Sequence, residues 1–226
     1  MMKKETKVIN FFSGSGTGKS TIAAAIYAEL KIRSAHAELA REYIKKWAWE
    51  KRVPGKFDQI YIFGHQSNEE GRLYEKVDYI VSDSPLLLVP FYEQLLTKEN
   101  IIEPAVLNFM KHAEKHGVTY HNFWLERLDS FDGRGRYETE EQARQIDSSL
   151  RKWLESRNVK LIDLPKDHHT RVKIILEHFG FEYEVPLQLE NLPEDRDERL
   201  AKVLEYYGYD QELENLKKKK KKSSKK

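Results

Sequence analysis

Ser13-Gly14-Ser15-Gly16-Thr17-Gly18-Lys19-Ser20 combines the residue types that hold a polyphosphate. Closely spaced glycines let successive backbone N–H groups turn inward around an anion, and a lysine and a hydroxyl follow them at fixed spacing. Lys19 supplies a point charge for β- and γ-phosphates, and the Ser20 hydroxyl is placed to ligate Mg²⁺. The run follows the apolar Val8-Ile9-Asn10-Phe11-Phe12 and opens a helical stretch from Thr21, so a helix N-terminus adds a field that favours anions. Ser13, Gly14, Ser15, Gly16, Thr17, Gly18, Lys19, Ser20 and Thr21 are therefore expected to bind nucleotide phosphates. Ser13 occupies the position where the motif usually has its first glycine, and Gly14 and Gly16 are expected to supply the turn instead.

Two carboxylates follow apolar runs. Asp83 ends Tyr79-Ile80-Val81-Ser82 and is expected to bind Mg²⁺, directly or through water, or to orient an attacking oxygen. Glu42, in Ala40-Arg41-Glu42-Tyr43, is placed to take a proton from an acceptor hydroxyl, and Arg41 to meet a substrate phosphate. Either acid also reads as a helix cap or a first-turn acid. The segment 127–138 holds Arg127, Arg134 and Arg136 with Gly133 and Gly135. Guanidinium groups stabilise the charge spread over a transferring phosphoryl group, and glycines permit closure, so this segment is expected to be a lid carried by Arg134 and Arg136. Gln59, Phe63, Gln66 and Arg72 fall on neighbouring faces of one helical pattern. There amides can pair with a base edge and an aromatic can stack on its face. Trp47 and Trp49 are candidates for further stacking, and His168-His169 for a contact to an adenine ring.

These residues must be positioned by a regular scaffold. Strand-type runs fall at 8–12, 35–39, 79–82, 120–125 and 159–164. Helical patterns fall at 20–31, 43–51, 57–75, 90–96, 103–115, 139–157 and 170–179. The run at 35–39 is weak by composition and is assigned because the alternation requires a strand there. Alternating strands and helices predict an α/β fold, a five-stranded parallel sheet with helices on both faces. Right-handed crossovers then gather the functional loops at the carboxyl edge of the sheet. Residues 1–180 are read as that domain and 181–216 as a C-terminal helical extension with one helical patch at 195–207. Residues 217–226 are read as a disordered lysine-rich tail.

The formal net charge of +2 conceals an uneven distribution. The eight lysines of the tail carry +8, which leaves a body of −6. Such a tail is a solvated segment, a hold on polyanions such as DNA, or an engineered appendage. The absence of cysteine excludes disulfides and thiolate metal sites and fits a reducing compartment. No apolar run approaches the roughly 20 residues that span a bilayer. The chain is expected to be soluble and cytoplasmic, with no membrane partner.

Taken together, the residues resemble the small P-loop kinases of the thymidylate-kinase and deoxynucleoside-kinase type, and most of all the nucleotide-kinase-like proteins of tailed bacterial viruses. The likeness rests on Phe11-Phe12-Ser13 through Thr21, Arg41-Glu42-Tyr43, the run from Asp58 to Gln66, the run from Asp78 to Leu88, and Gly135-Arg136 followed by Thr139-Glu140-Glu141. It spans about residues 7–180. The resemblance implies a P-loop kinase fold with an arginine-bearing lid, ATP and Mg²⁺ as cofactors, Lys19 and Ser20 on phosphate and metal, Glu42 or Asp83 as base, and Arg134 and Arg136 in the lid. Some members of the viral group phosphorylate 5-hydroxymethyluracil in DNA, and that base in phage DNA is the specific acceptor expected here; for a viral protein the compartment is the host cytoplasm. A free nucleoside or nucleoside monophosphate is the alternative, including nicotinamide riboside, whose kinases are related. A nucleotide-binding regulatory or ATPase module is the reading from another class. The oligomeric state is left open, a dimer being one option.

Overall fold

The apolar run that precedes the glycine-rich loop forms β1 (Thr6–Phe12), the central strand of the sheet. Its alternate side chains enter different cores. Ile9 and Phe11 pack on one face, while Val8 and Phe12 belong to the cores of the other. Every residue from Val8 to Phe12 is buried, as expected of a parallel strand covered on both sides. The computed structural model describes residues 5–134, 137–186, 193, 195–206 and 208–223.

Four further strands, β2 (Ala37–Ala40), β3 (Tyr79–Ser82), β4 (Val118–Leu125) and β5 (Ile162–Leu164), complete one sheet in the order β2-β3-β1-β4-β5. All four pairings are parallel, with Ile9 in register with both Val81 and His121. Helices α1 (Lys19–Ile32) and α7 (His168–His178) supply the core on the Ile9 face. Helices α2 (Lys45–Trp49), α3 (Asp58–Gly71), α4 (Leu88–Thr97), α5 (Glu103–Lys115) and α6 (Glu140–Glu155) surround the other face. The α/β class, the five parallel strands and the two covered faces are as the sequence predicts.

Boundaries move where helices end in left-handed turns. The expected strand at 35–39 starts two residues late because the Ala35 N–H donates back to the Leu30 carbonyl (2.9 Å), with Ser34 at φ 59°. The expected strand at 159–164 starts at Ile162 for the same reason. The Val159 N–H donates to the Leu154 carbonyl (3.1 Å), and Asn158 sits at φ 56°. In each case the first residues assigned to the strand close the preceding helix.

Residues 1–183 form one compact unit and residues 184–226 a second. The second contains α8 (Arg196–Tyr206) and α9 (Asp210–Ser223), joined through Gly208 at φ 71°. The helical patch expected at 195–207 corresponds to α8. The sequence reading misses α9, whose backbone runs on through Lys217–Lys222, the segment expected as a disordered tail. Lysine is a good helix former, and a run of cations at a helix C-terminus complements the macrodipole there while Asp210 and Glu212 favour its start. No helix among the described residues is long and apolar enough to cross a membrane.

Candidate active site

The loop between β1 and α1 is held by its own carbonyl groups. Lys19 Nζ donates to the Ser13 and Gly14 carbonyls at 2.9 and 2.8 Å. Gly16 and Gly18 have φ of 81° and 92°, a region that side chains enter only with strain. Ser13, in the place of the usual glycine, is buried, and its hydroxyl bonds the Thr17 hydroxyl across the base of the loop. The loop thus gains an internal tether that a glycine there would lack. The Ser15 hydroxyl is buried without a hydrogen-bond partner among the described residues, a donor left for a ligand.

Two arginines grip the same loop. Arg127, just past β4, donates from Nη1 to the Ser15 carbonyl (2.9 Å), from Nη2 to the Ala143 carbonyl (3.2 Å) and from Nε to Asp147 Oδ2 (2.6 Å). Asp147, on α6, accepts the Gly14 N–H at 2.5 Å. Arg171, on α7, is buried and donates from Nη1 to the Thr17 carbonyl (3.0 Å). Burial lowers its basicity somewhat, against the pull of Glu126 and Asp167. None of Arg127, Asp147 and Arg171 is a site residue on sequence grounds. The available signal is that Arg127 lies two residues beyond β4 and Arg171 in the first turn of the helix that follows β5.

The strand order places the two candidate acids beside this loop. β3 lies between β1 and β2, so Asp83 follows the strand next to β1 and Glu42 the strand beyond it. Asp83 is buried, and one of its carboxylate oxygens accepts the Glu42 backbone N–H at 2.8 Å. A cavity of about 460 Å³ opens over this edge. Ser15, Lys19, Glu42, Asp83, Gln59 and Gln66 all line it, with apolar walls from α2, α3 and α4. Gln59 and Gln66 stand two turns apart on α3, and both are buried. Gln66 Nε2 has no partner among the described residues.

The remaining expected residues lie elsewhere. Arg41 is exposed beside Glu42 and does not line the cavity. Phe63 packs edge-on against Phe109 in the core, at 6.1 Å between ring centres. Arg72 caps the end of α3 in solvent and pairs with Glu69 at 2.6 Å, rotated away from the amide-bearing face. Trp47 is buried beneath the Arg52 guanidinium and Trp49 is exposed, so neither stacks in the cavity. His169 meets the Tyr183 hydroxyl at 3.2 Å, and neither it nor His168 reaches the cavity. Arg134 extends into solvent and grips Asp132 with Nε and Nη2, which raises its already high basicity. It does not line the cavity, and Arg136 lies outside the described residues. What the lid segment brings to the cavity is Tyr137, whose hydroxyl donates to the Arg52 carbonyl at 2.8 Å, and Glu138. Phe131 covers the loop closely enough that a methyl group on Gly16 would stand 2.6 Å from its ring. Lys45 also lines the cavity and reaches the Ser20 hydroxyl at 3.4 Å.

Comparison with known proteins places this geometry in a wider set. No curated protein matches the chain in sequence. A solved NadR protein in complex with NR is similar at 16% identity and a TM-score of 0.62, covering 81% of this chain and 53% of its own. This chain therefore spans about half the length of that protein. Deoxyadenosine kinase from M. mycoides with bound dATP is similar at 18% identity and a TM-score of 0.51, covering 78% of this chain and 100% of its own. The same enzyme with dCMP and dCDP gives 17% identity and a TM-score of 0.53, covering 77% and 99%. At such identities the likeness is one of fold, the α/β P-loop fold of these kinases. A family model described as an AAA domain matches residues 8–171, from β1 into the first turn of α7, and on that match the chain belongs to the AAA domain family.

Proposed function

We propose that this protein is an ATP-dependent kinase that transfers the γ-phosphoryl group to a hydroxyl of a nucleoside-type acceptor. One observation carries the reading. A single cavity is lined by a phosphate loop (Ser15, Lys19), by two carboxylates (Glu42, Asp83) and by two buried amides (Gln59, Gln66). A plain ATPase needs the first two sets, whereas an amide-lined apolar compartment adjoining them suits a second, organic substrate. The kinase and NadR structures with the same fold agree with this reading.

The donor set fits the cofactors. Mg²⁺ takes hard oxygen ligands, and the Ser20 hydroxyl and Asp83 carboxylate on this edge would hold it; the ion would neutralise charge on the β- and γ-phosphates. Asp83, fixed by the Glu42 N–H, keeps one orientation, which suits a metal or water ligand. Glu42 is then the base. The acceptor hydroxyl gives its proton to the Glu42 carboxylate as its oxygen bonds the γ-phosphorus. The bond from that phosphorus to the β–γ bridging oxygen breaks, and ADP leaves. Lys19 faces the charge that builds on the phosphates. Arg134 and Arg136 are assigned to the closed lid, which requires Arg134 to exchange Asp132 for phosphate.

The cavity volume, and the Tyr137 hydroxyl joined to the Arg52 carbonyl over it, favour a free nucleoside or nucleoside monophosphate as acceptor, nicotinamide riboside among them. The second reading is 5-hydroxymethyluracil in phage DNA, flipped into the same cavity. It rests on the cationic run Lys217–Lys222, which would meet DNA phosphates. The experiment is transfer of labelled γ-phosphate from Mg·ATP to free nucleosides, to their monophosphates and to duplex DNA containing 5-hydroxymethyluracil. Label in the small molecules alone supports the first reading, and label in DNA the second. ATP hydrolysis with no labelled acceptor in the panel counts against both.

A further inference from the structure

We propose that Arg127 and Arg171 are positioning residues that set the peptide planes of the phosphate loop, and that Arg127 ties this loop to helix α6. The proposal rests on the reading of residues 13–20 as a nucleotide phosphate loop.

A phosphate cradle needs its N–H groups on the concave side, so its carbonyls must turn outward and find donors there. Here those donors are cations. Lys19 takes the Ser13 and Gly14 carbonyls, Arg127 the Ser15 carbonyl at 2.9 Å, and Arg171 the Thr17 carbonyl at 3.0 Å. The Gly18 carbonyl accepts the Ile22 N–H in the first turn of α1. Each outward bond fixes one peptide plane, and the next N–H is fixed with it.

The two arginines are anchored differently. Arg171 is tied to the backbone beyond β4 and β5 through the Glu126 and Pro165 carbonyls. Arg127 is tied to α6, through the Ala143 carbonyl and through Asp147, which itself accepts the Gly14 N–H. Arg127 begins the lid segment and α6 follows it. The position of α6 is therefore passed to the Gly14 N–H through Asp147 and to the Ser15 carbonyl through Arg127. The fork of a guanidinium makes this possible, because a single side chain serves three acceptors in different directions.

The effect must fall on the β-phosphate, which the loop cradles, and not on the nucleoside. The test is calorimetric binding of ADP and of AMP, with Mg²⁺, to the full chain and its variants. Arg127→Gln is expected to weaken ADP binding about tenfold or more while AMP binding stays within about twofold. Arg127→Lys, which keeps the charge but not the fork, is expected to recover only part of the loss. Asp147→Asn sets an amide N–H against one of two donors, the Gly14 N–H or Arg127 Nε, and is expected to give a smaller loss of the same ADP-selective kind; it carries the test if Arg127→Gln does not fold. The double variant is expected to bind ADP as Arg127→Gln does, because one clamp cannot be broken twice. ADP binding unchanged in the folded variants, or ADP and AMP binding lost in parallel, overturns the proposal. A parent protein that binds ADP no more tightly than AMP overturns the phosphate-loop reading itself, and the proposal with it.

Discussion

The Asp83 carboxylate and the Glu42 backbone are joined by a hydrogen bond of 2.8 Å, so the acid after β3 fixes the chain after β2. In the mechanism proposed above the two acids have different roles although they share a cavity. Asp83 is the one whose carboxylate oxygen is held, and it is the Glu42 backbone that holds it. Glu42→Gln is expected to lower kcat by roughly 10²- to 10⁴-fold, the usual span for a general base, with ATP affinity and Mg²⁺ dependence kept. Asp83→Asn is expected to raise the Mg²⁺ concentration needed for half-maximal rate. Rate measured against Mg²⁺ concentration for both variants checks the assignment; a Glu42 variant rescued by added Mg²⁺ would exchange the roles.

Gln66 carries a cost that a ligand would relieve. Its Nε2 is buried with no partner among the described residues, and an unsatisfied buried donor costs about 1–3 kcal/mol. Gln66→Met removes the donor while keeping the shape. The variant is expected to be at least as stable as the parent, yet to raise the KM for the acceptor by about tenfold, the equivalent of one lost hydrogen bond of about 1.4 kcal/mol. Thermal unfolding and acceptor kinetics on one preparation test both signs. A destabilised variant with unchanged acceptor KM would make Gln66 a core residue and nothing more.

What the sequence shows of this site follows from how local each signal is. The loop at 13–20, Lys19 and the acids at 42 and 83 announce themselves because strand, turn and helix are contiguous in the chain. The two amides of α3 are legible because Gln59 and Gln66 share one face at a spacing of seven. Phe63 and Arg72 are misplaced because a neighbouring helical face is not the same face; the first packs half-buried against Phe109 and the second is exposed. The contacts of Arg127 and Arg171 with the loop are out of its reach. Their partners, Ser15 and Thr17, lie 112 and 154 positions away, and only the order of β1, β4 and β5 in the sheet joins them. Helix α9 fails to register for the opposite reason, since its lysine run has no apolar face to give it a period.

Gly16 is fixed by two independent constraints. Its φ of 81° is strained for any residue with a Cβ, and an added Cβ would lie 2.6 Å from the Phe131 ring. Gly16→Ala is expected to lose ADP binding by about tenfold or more, given a strain of about 1–2 kcal/mol for a left-handed residue and the clash beside it. Adding Phe131→Ala removes the clash and leaves the dihedral strain, so the double variant should recover binding in part. Full recovery would mean that the clash alone matters, and no recovery that the dihedral alone does.

Glu70 makes stability depend on pH. Its carboxyl lies fully buried on α3, against the Tyr74 hydroxyl at 3.2 Å, with one oxygen unpartnered among the described residues. Burial pushes its pKa up to about 8, with the hydrogen bond from Tyr74 opposing the rise. The groups facing it are Tyr74 and Tyr120, both held protonated well above neutrality by burial first and by Glu70's own charge second. The folded protein therefore keeps a proton that the unfolded chain releases near its ordinary value of 4.5. Between these two values the native state binds more protons, so stability falls as pH rises, and it levels off above about 8. The loss is on the order of a few kcal/mol, since each tenfold change in proton affinity is worth about 1.4 kcal/mol before relaxation and water entry reduce it. Glu70→Gln keeps the shape and cannot ionise. Denaturant unfolding of parent and variant from pH 5 to pH 9 should show a declining curve for the parent and a flatter one for the variant, with their difference widening up to about pH 8. Parallel curves would mean that Glu70 is ionised in the native state and that a buried partner, or water beside Ser82, balances its charge.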